Sequence, residues 1–249
     1  MSVGYGADPM NGLDLLAVGA WGVLLLKYWV TGQLAVLIHP NYFPLTVGAG
    51  FLLVGVTAWQ GWVRWREPGR PQPVTAGGQL LPRSWGRLLL LGTAVVGLVV
   101  TPRPFNSHIA LDSGELLNMT RLLPQRFQPV SRPEERSLVD WVRLLNAYPE
   151  PDAYQGQRAK VQGFVVHPPG SPAHRFFIAR FVVTCCAADA YPVGLPVEVA
   201  AGAAKTYPAD TWLEVRGRMI TGEIAGQRRL ILKAEQVTRI PPPANPYLY

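Results

Sequence analysis

Hydrophobic residues are concentrated in the first hundred positions of the chain, in three long apolar segments. These segments cover residues 13–38, 45–63 and 85–101. A helix needs about 20 apolar residues to cross the hydrocarbon core of a bilayer, and the first two segments reach that length. The third is shorter, but Trp85 at its start is a residue type found at membrane interfaces. The pattern predicts a membrane domain of residues 1–102 with three transmembrane helices.

One cation, Lys27, interrupts the first apolar segment. An ionisable residue inside a span is a candidate functional residue. Tyr28 and Trp29 follow it directly, and an ammonium group beside such residues can extend along the helix to the interface. Because the neighbouring apolar segments contain no acidic partner, this arrangement favours a snorkelling cation.

The basic residues between the second and third segments predict the orientation. Residues 64–87 contain five Arg and one Glu, and short loops rich in Arg and Lys stay on the cytoplasmic side. With three spans, we expect the amino terminus and this loop to be cytoplasmic. The chain after Pro102 is then extracytoplasmic. The first residues lack the basic stretch of a cleavable signal peptide, so we expect the first span to be an uncleaved anchor.

Helical periodicity returns once after the membrane domain, within a linker that we assign to residues 103–153. Glu134 and Glu135 stand behind a proline, as in the first turn of a helix, and Pro149 follows the end of the pattern. An apolar stripe lies between them, typical of an amphipathic helix; it consists of Leu138, Trp141, Val142 and Leu145.

Residues 154–249 show the alternating pattern of β-strands. Gly163 and Gly217 fall inside two of the predicted strands, where bulges and barrel corners require glycine. Five strands in so short a segment predict a small, closed barrel of the OB type. The predicted fold is therefore an α-helical membrane segment followed by a small all-β, OB-like barrel domain with a preceding helix. The predicted strands are residues 158–167, 175–186, 195–202, 211–220 and 229–240.

The chain has only two cysteines, Cys185 and Cys186, and they are adjacent at the end of the second predicted strand. Four hypotheses account for them. They can be buried packing residues, although strand alternation would bury only one of the two. They can bind a metal ion, because thiolates suit zinc or Cu(I). They can form a vicinal disulfide outside the cytoplasm, or act as a redox pair.

Under the metal hypothesis, three further residues are candidate ligands. Asp189 can supply a carboxylate oxygen, and His167 and His174 are weaker candidates from the neighbouring loop. The spacing of the two cysteines differs from the usual zinc pattern, in which two to four residues separate them. Asp189 could equally cap the turn that follows the strand.

The remaining chemistry points away from catalysis. The sequence contains no nucleophile elbow, phosphate-binding loop or zinc-protease motif. The net charge of +7 suits an anionic bilayer surface or an acidic partner. OB barrels also bind nucleic acids, but an extracytoplasmic location removes most of those partners.

Several stretches of the sequence resemble the YcgQ-like family, uncharacterised two-domain membrane proteins that are typically encoded beside a predicted permease. The resemblance is carried by GQLAVLIHP, YQGQRAKVQGFV, ARFVVTCCAADAYPVGLPV, TWLEVRGRM and IPPPANPYLY. It implies a non-enzymatic, membrane-anchored accessory protein of a permease, and suggests a link to zinc or other metal homeostasis. Two alternatives stay open: an OB-like ligand-binding barrel acting alone, and a thiol-redox protein that uses Cys185 and Cys186.

Overall fold

The chain consists of two compact units. Unit 1 comprises Met1–Pro102 and unit 2 comprises Arg103–Tyr249. The structure is a computed structural model, and it describes residues 12–66, 83–113, 132–224 and 226–249. Parts of three predicted features lie outside these residues: the amino terminus, the centre of the 64–87 loop, and residues 114–131 of the predicted linker.

Unit 1 is helical throughout its described elements. The predicted segment 13–38 is two helices rather than one, because Gly32 has a left-handed φ of 73° just after the first helix ends. That conformation favours glycine and interrupts the helix. The helices are α1 Gly12–Val30, α2 Leu34–Leu37, α3 Phe43–Arg66 and α4 Arg83–Val99, with a 3-10 turn at Pro40–Tyr42.

Helix α1 packs against α3 and α4. It runs antiparallel to α3, where glycines allow close approach: a Cβ at Gly22 would lie 2.8 Å from Cγ2 of Val54, and one at Gly50 would lie 3.0 Å from Cδ2 of Leu26. Small residues at such contacts are typical of packed membrane helices. Of the glycines in the second apolar segment, Gly50 has this role, whereas Gly48 has nothing within 4 Å.

Among the described residues, two helices are long and apolar enough to cross a membrane, Gly12–Val30 and Pro40–Arg66. The third apolar helix, Trp85–Val99, is shorter. Large apolar side chains stand exposed along unit 1, including Leu45 at 73% and Val99 at 77%. An exposed apolar surface of this kind requires lipid or a partner protein to cover it.

Unit 2 contains five strands that form a closed barrel in the order β1-β2-β3-β5-β4. Neighbouring strands are antiparallel except β3 and β5, which pair in parallel at Val197 and Glu198. Alternating side chains fill the interior, as the sequence pattern predicts. The strands are β1 Arg158–Val166, β2 Arg175–Val182, β3 Tyr191–Glu198, β4 Trp212–Ile224 and β5 Gln227–Arg239.

Two strand glycines stand where the barrel bends. A Cβ at Gly163 would lie 2.5 Å from the carbonyl oxygen of Ala179, because β1 turns away from β4 toward β2 at this point. The register of β4 against β5 shifts between Arg216 and Gly217, which is a β-bulge. The prediction that these strands need glycine is therefore confirmed.

The helices that precede the barrel are α5, Ser107–Asp112, and α6, Leu138–Ala147. Ser137 caps α6: its hydroxyl accepts the N–H of Asp140, whose carboxylate accepts the N–H of Ser137 in return. Trp141 lies fully buried in the same core as the strands. Glu134 and Glu135 lie in a separate 3-10 turn before this cap, not in the first turn of the helix as predicted.

The structure corrects the ends of β2 and β3. Strand β2 ends at Val182 instead of residue 186, and β3 begins at Tyr191 instead of residue 195. Pro192 and Pro196 made the start of β3 difficult to predict, since proline cannot donate to a sheet ladder. Both prolines pair with β2, and the parallel contact with β5 begins only after them. At both prolines β3 therefore pairs with a strand on one side only, and proline is tolerated at such positions.

Candidate functional site

The two cysteines lie in the loop between β2 and β3, just before a 3-10 turn at Ala187–Asp189. Cys185 is exposed, Cys186 is half-buried, and both are free thiols. Their Sγ atoms are 3.6 Å apart. The hypothesis that strand alternation buries one of the two cysteines is wrong, because β2 ends at Val182, before the pair. Both sulfurs belong to a surface loop, which we call the thiol loop (residues 183–190).

Asp189 organises the thiol loop with its carboxylate. Oδ2 accepts the backbone N–H of Cys185 at 2.8 Å and the hydroxyl of Thr184. Oδ1 accepts the N–H groups of Thr184 and Cys186, both at 3.3 Å. Three consecutive N–H groups thus converge on one carboxylate and are withdrawn from the sheet ladder, which explains the early end of β2. Of the two roles considered for Asp189, this geometry favours the turn cap.

The same contacts set the charge of the site. Partial burial acts to raise the pKa of Asp189, but hydrogen bonds from the side chains and N–H groups of Thr184 and Cys185 outweigh it and lower the pKa to about 2. The hydrogen bond with Asp189, and then that with Cys186, raises the pKa of Cys185 to about 11. Asp189 is therefore ionised at neutral pH, and its hydrogen bond with Cys185 keeps that thiol protonated.

The two histidine candidates lie far from the thiols. His174 immediately precedes β2, whereas the cysteines follow its other end. The strand has 8 residues and spans about 26 Å at roughly 3.3 Å per residue. His167 follows β1, and its Nε2 lies 2.8 Å from the carbonyl oxygen of Tyr207. Since Val166 pairs with Phe177 near the start of β2, His167 also belongs to that distant end.

A metal ion at the thiol loop would therefore have the two sulfurs as its protein ligands. Within the described ranges, no group of three or more His, Cys, Asp or Glu side chains is arranged to hold a metal ion. Both oxygens of Asp189 already accept hydrogen bonds from the thiol loop, so we assign its carboxylate to the support of the loop and not to the metal. Such a site leaves coordination positions open to water or to a ligand from another molecule.

The carboxyl-terminal tail lies beside the thiol loop. The N–H of Val183 donates to the carbonyl of Leu248 at 3.0 Å, and the N–H of Leu248 donates to the carbonyl of Phe181 at 2.9 Å. Arg180 holds this tail through the carbonyls of Asn245, Pro246 and Tyr247, at 2.9–3.2 Å. The structural roles of Arg180 and Thr184 were not identified from the sequence. The five-residue spacing from Thr184 to Asp189 is a signal that could have indicated the contact of Thr184 with the carboxylate.

Lys27, the candidate in unit 1, donates from Nζ to the carbonyl of Leu98 at 2.6 Å. This carbonyl lies in the last turn of α4, where a helix end favours a cation. At the opposite end of α1, Asp14 and Arg87 form an ion pair with Oδ1 and Nε 2.7 Å apart. The two contacts show that α1 and α4 run parallel, and that Lys27 ties their ends together.

Comparison with known proteins gives a match to a family model in the second half of the chain. Residues 134–249 are similar to the DUF1980 C-terminal domain, an uncharacterised family. The matching range includes α6, the barrel and the thiol loop. No curated protein matches the chain. The expected resemblance to an uncharacterised family is thereby supported for these residues.

Proposed function

We propose that this chain is a non-enzymatic, membrane-anchored accessory protein of a permease, and that its barrel presents Cys185 and Cys186 to a metal cation such as zinc. One observation carries the proposal: the two Sγ atoms are 3.6 Å apart on a loop that Asp189 holds in place. Two thiolates on one tetrahedral zinc ion, each with a Zn–S distance of about 2.3 Å, are about 3.8 Å apart. The loop thus needs little change in geometry to hold a cation as cargo, and the cation binds by displacing the thiol protons.

An open site of two thiolates suits transfer of a cation more than its permanent storage. Structural zinc sites use four protein ligands, and the thiol loop supplies two. A partner that provides the other ligands would receive the cation without displacing the barrel. This is the chemical basis for assigning the chain to a transport system.

The parallel course of α1 and α4 supports a membrane anchor with three spans. Three crossings are the simplest way for the first and last helices to run in one direction. Helix α4 has 17 residues and rises about 26 Å, close to the hydrocarbon thickness of about 30 Å. With Arg64 and Arg66 cytoplasmic at the end of α3, this topology puts unit 2 outside the cytoplasm.

The barrel is proposed to be of the OB type. Five strands, closure and the single parallel contact between β3 and β5 support this assignment. A fold of this kind serves many functions, so the thiol loop and not the barrel carries the functional argument.

Zinc titration of the full chain tests the proposal. The protein is purified in mild detergent with a non-chelating reductant, and binding is followed by calorimetry. We expect one zinc per chain, with affinity that rises with pH because the thiols must lose their protons. Replacing both cysteines, C185S/C186S, should abolish binding, whereas the distant H174A should bind as the unmodified chain does. Equal binding by the double variant would overturn the proposed site.

Affinity purification from native membranes tests the accessory role. A permease should co-purify with the tagged chain in mild detergent. Recovery of the chain without a transporter, at normal expression, would instead support the alternative of an OB-like ligand-binding barrel that acts alone.

The short separation of the sulfurs also favours a second candidate, a thiol-redox protein. In that reaction both thiols release a proton, the pair gives two electrons to a disulfide or quinone acceptor, and an S–S bond joins Cys185 to Cys186. Thiol titration before and after reduction distinguishes the two functions. A pair that is oxidised as isolated, and that binds no zinc after reduction, would favour the redox protein.

A further inference from the structure

One row of directly paired residues crosses all five strands of the barrel, and every position in it is charged. From β2 to β1 the row consists of Arg175, Glu198, Lys233, Arg218 and Arg158. On β5, β4 and β1 three cations are therefore direct neighbours. A second like-charged pair follows on the same face, where Lys160 stands opposite Arg216. We call the five cations on these three strands the basic face: Arg158, Lys160, Arg216, Arg218 and Lys233.

The side chains of the basic face point outward into solvent. The side chains of Arg158 and Arg218 are 64% and 53% exposed, and Lys233 is exposed as well. The β-carbons of directly opposite residues are about 5 Å apart, and like charges at that distance destabilise a sheet. Selection for folding alone gives no reason to place three cations side by side.

Neighbouring carboxylates neutralise only part of this charge. Glu214 lies 3.2 Å from Lys160 and 2.8 Å from Arg216. A hydrogen bond from Gln162, followed by those from Arg216 and Lys160, lowers the pKa of Glu214 to about 2 despite its partial burial. Glu214 is therefore ionised at neutral pH, and its negative charge neutralises part of the positive charge of Lys160 and Arg216.

The row of three cations keeps an excess of positive charge. Glu235 lies 3.0 Å from Arg218, and Glu134 lies at the longer distance of 3.7 Å from Arg158. In the part of the chain that the structure describes, Lys233 has no ion-pair partner. Beside it in the row, Glu198 is bound to Arg175 at 2.9 Å.

We infer that the basic face binds the anionic phospholipid headgroups of the membrane in which unit 1 is anchored. The inference rests on the membrane anchor of the proposed function. Headgroups with a net negative charge attract each nearby Lys or Arg with about 1 kcal/mol. The continuous chain tethers the barrel to the proposed anchor, and the resulting high effective concentration at the bilayer makes a weak attraction sufficient. The spacing of neighbouring strands, about 4.8 Å, presents the three cations as a short, continuous band.

Lysine acylation of the full chain in lipid nanodiscs tests the inference. One sample contains phosphatidylcholine alone, and the other contains phosphatidylcholine with phosphatidylglycerol. Mass spectrometry measures the acylation rates of Lys233 on the basic face and of Lys205, an exposed lysine in the turn before β4. We expect roughly fivefold slower acylation of Lys233 in the anionic nanodiscs, an unchanged rate at Lys205, and loss of the difference at high salt.

Matched variants identify the surface responsible. R158Q/R218Q removes two charges from the row and should restore fast acylation of Lys233 in anionic nanodiscs. K205Q removes an exposed cation elsewhere and should leave the protection of Lys233 intact. Equal acylation of Lys233 in the two lipids overturns the inference. So does protection by inorganic phosphate in the neutral nanodiscs, because a soluble anion would then be the ligand. A chain that enters neither nanodisc contradicts the proposed anchor itself.

Discussion

Cys185 donates its backbone N–H to Oδ2 of Asp189, four residues later in the chain, at 2.8 Å. The carboxylate that receives this hydrogen bond also holds the residues on either side of Cys185. The two thiols therefore project from a loop with a fixed backbone. This relationship connects the local sequence to the proposed function, since a cation site with two ligands depends on their relative position.

Replacing Asp189 by asparagine should loosen the thiol loop without unfolding the barrel. The amide keeps the shape of the side chain but lacks its charge and one acceptor oxygen, a loss comparable to that of a helix cap, about 0.5–2 kcal/mol. Hydrogen exchange should become faster at the amides of residues 184–186. Asp152→Asn is the control, because its carboxylate pairs with Arg228 elsewhere on unit 2. Unchanged exchange in Asp189→Asn would contradict the role of the carboxylate.

Acid should release the thiol loop. The fold lowers the pKa of Asp189 from 3.8 to about 2, so its contribution to stability is fully present above 3.8 and is lost as the pH falls toward 2. The chemical shifts of the Thr184 and Cys185 amides should titrate across this window. In Asp189→Asn the titration should be missing. A midpoint near 3.8 in the unmodified chain would show that the hydrogen bonds do not stabilise the carboxylate.

The carboxyl-terminal tail should depend on Arg180. Its guanidinium is half-buried and donates to three tail carbonyls. Burial lowers the pKa of Arg180 from its usual value. Arg180→Lys keeps the charge but cannot reach all three acceptors, so we expect unfolding to become easier by roughly 1–3 kcal/mol. Arg216→Lys, on the exposed face, should change stability by less than about 0.5 kcal/mol. Limited proteolysis of the tail provides an independent measurement.

The ion pair between Asp14 and Arg87 should align α1 with α4. Its side chains are only 21% and 16% exposed, so removing either partner leaves a partly buried charge. D14N and R87Q should each lower the melting temperature in detergent, whereas the exchange D14R/R87D should recover much of the loss. A charge exchange that is as unstable as the single variants would contradict the parallel packing of these helices.

Local patterns in the sequence predict much of the fold. Alternation identifies the five strands, and the glycines at 163 and 217 mark where the barrel bends. The apolar stripe also predicts the amphipathic helix α6 correctly, and Trp141 in that stripe is buried in the structure. These features depend on short-range periodicity, which the chain shows directly.

Features that depend on tertiary contacts are not predictable in this way. The partners of Arg180 lie about 65 residues later in the chain, and no local pattern joins them. His174 is close to the cysteines in sequence, yet the length of β2 keeps it away from the thiols. The early end of β2 follows from the capture of three N–H groups by Asp189, which competes with the strand pattern of the preceding residues.

Labelling of the two thiols in intact cells tests the central claim most directly, namely that a membrane anchor presents the thiol loop outside the cytoplasm. The chain has no other cysteine, so a membrane-impermeant maleimide reports on this loop alone after brief treatment with a reductant and a chelator. The account predicts labelling at the exposed Cys185 in intact cells, and none in C185S/C186S. Labelling that requires permeabilised cells would place the barrel in the cytoplasm and contradict the account.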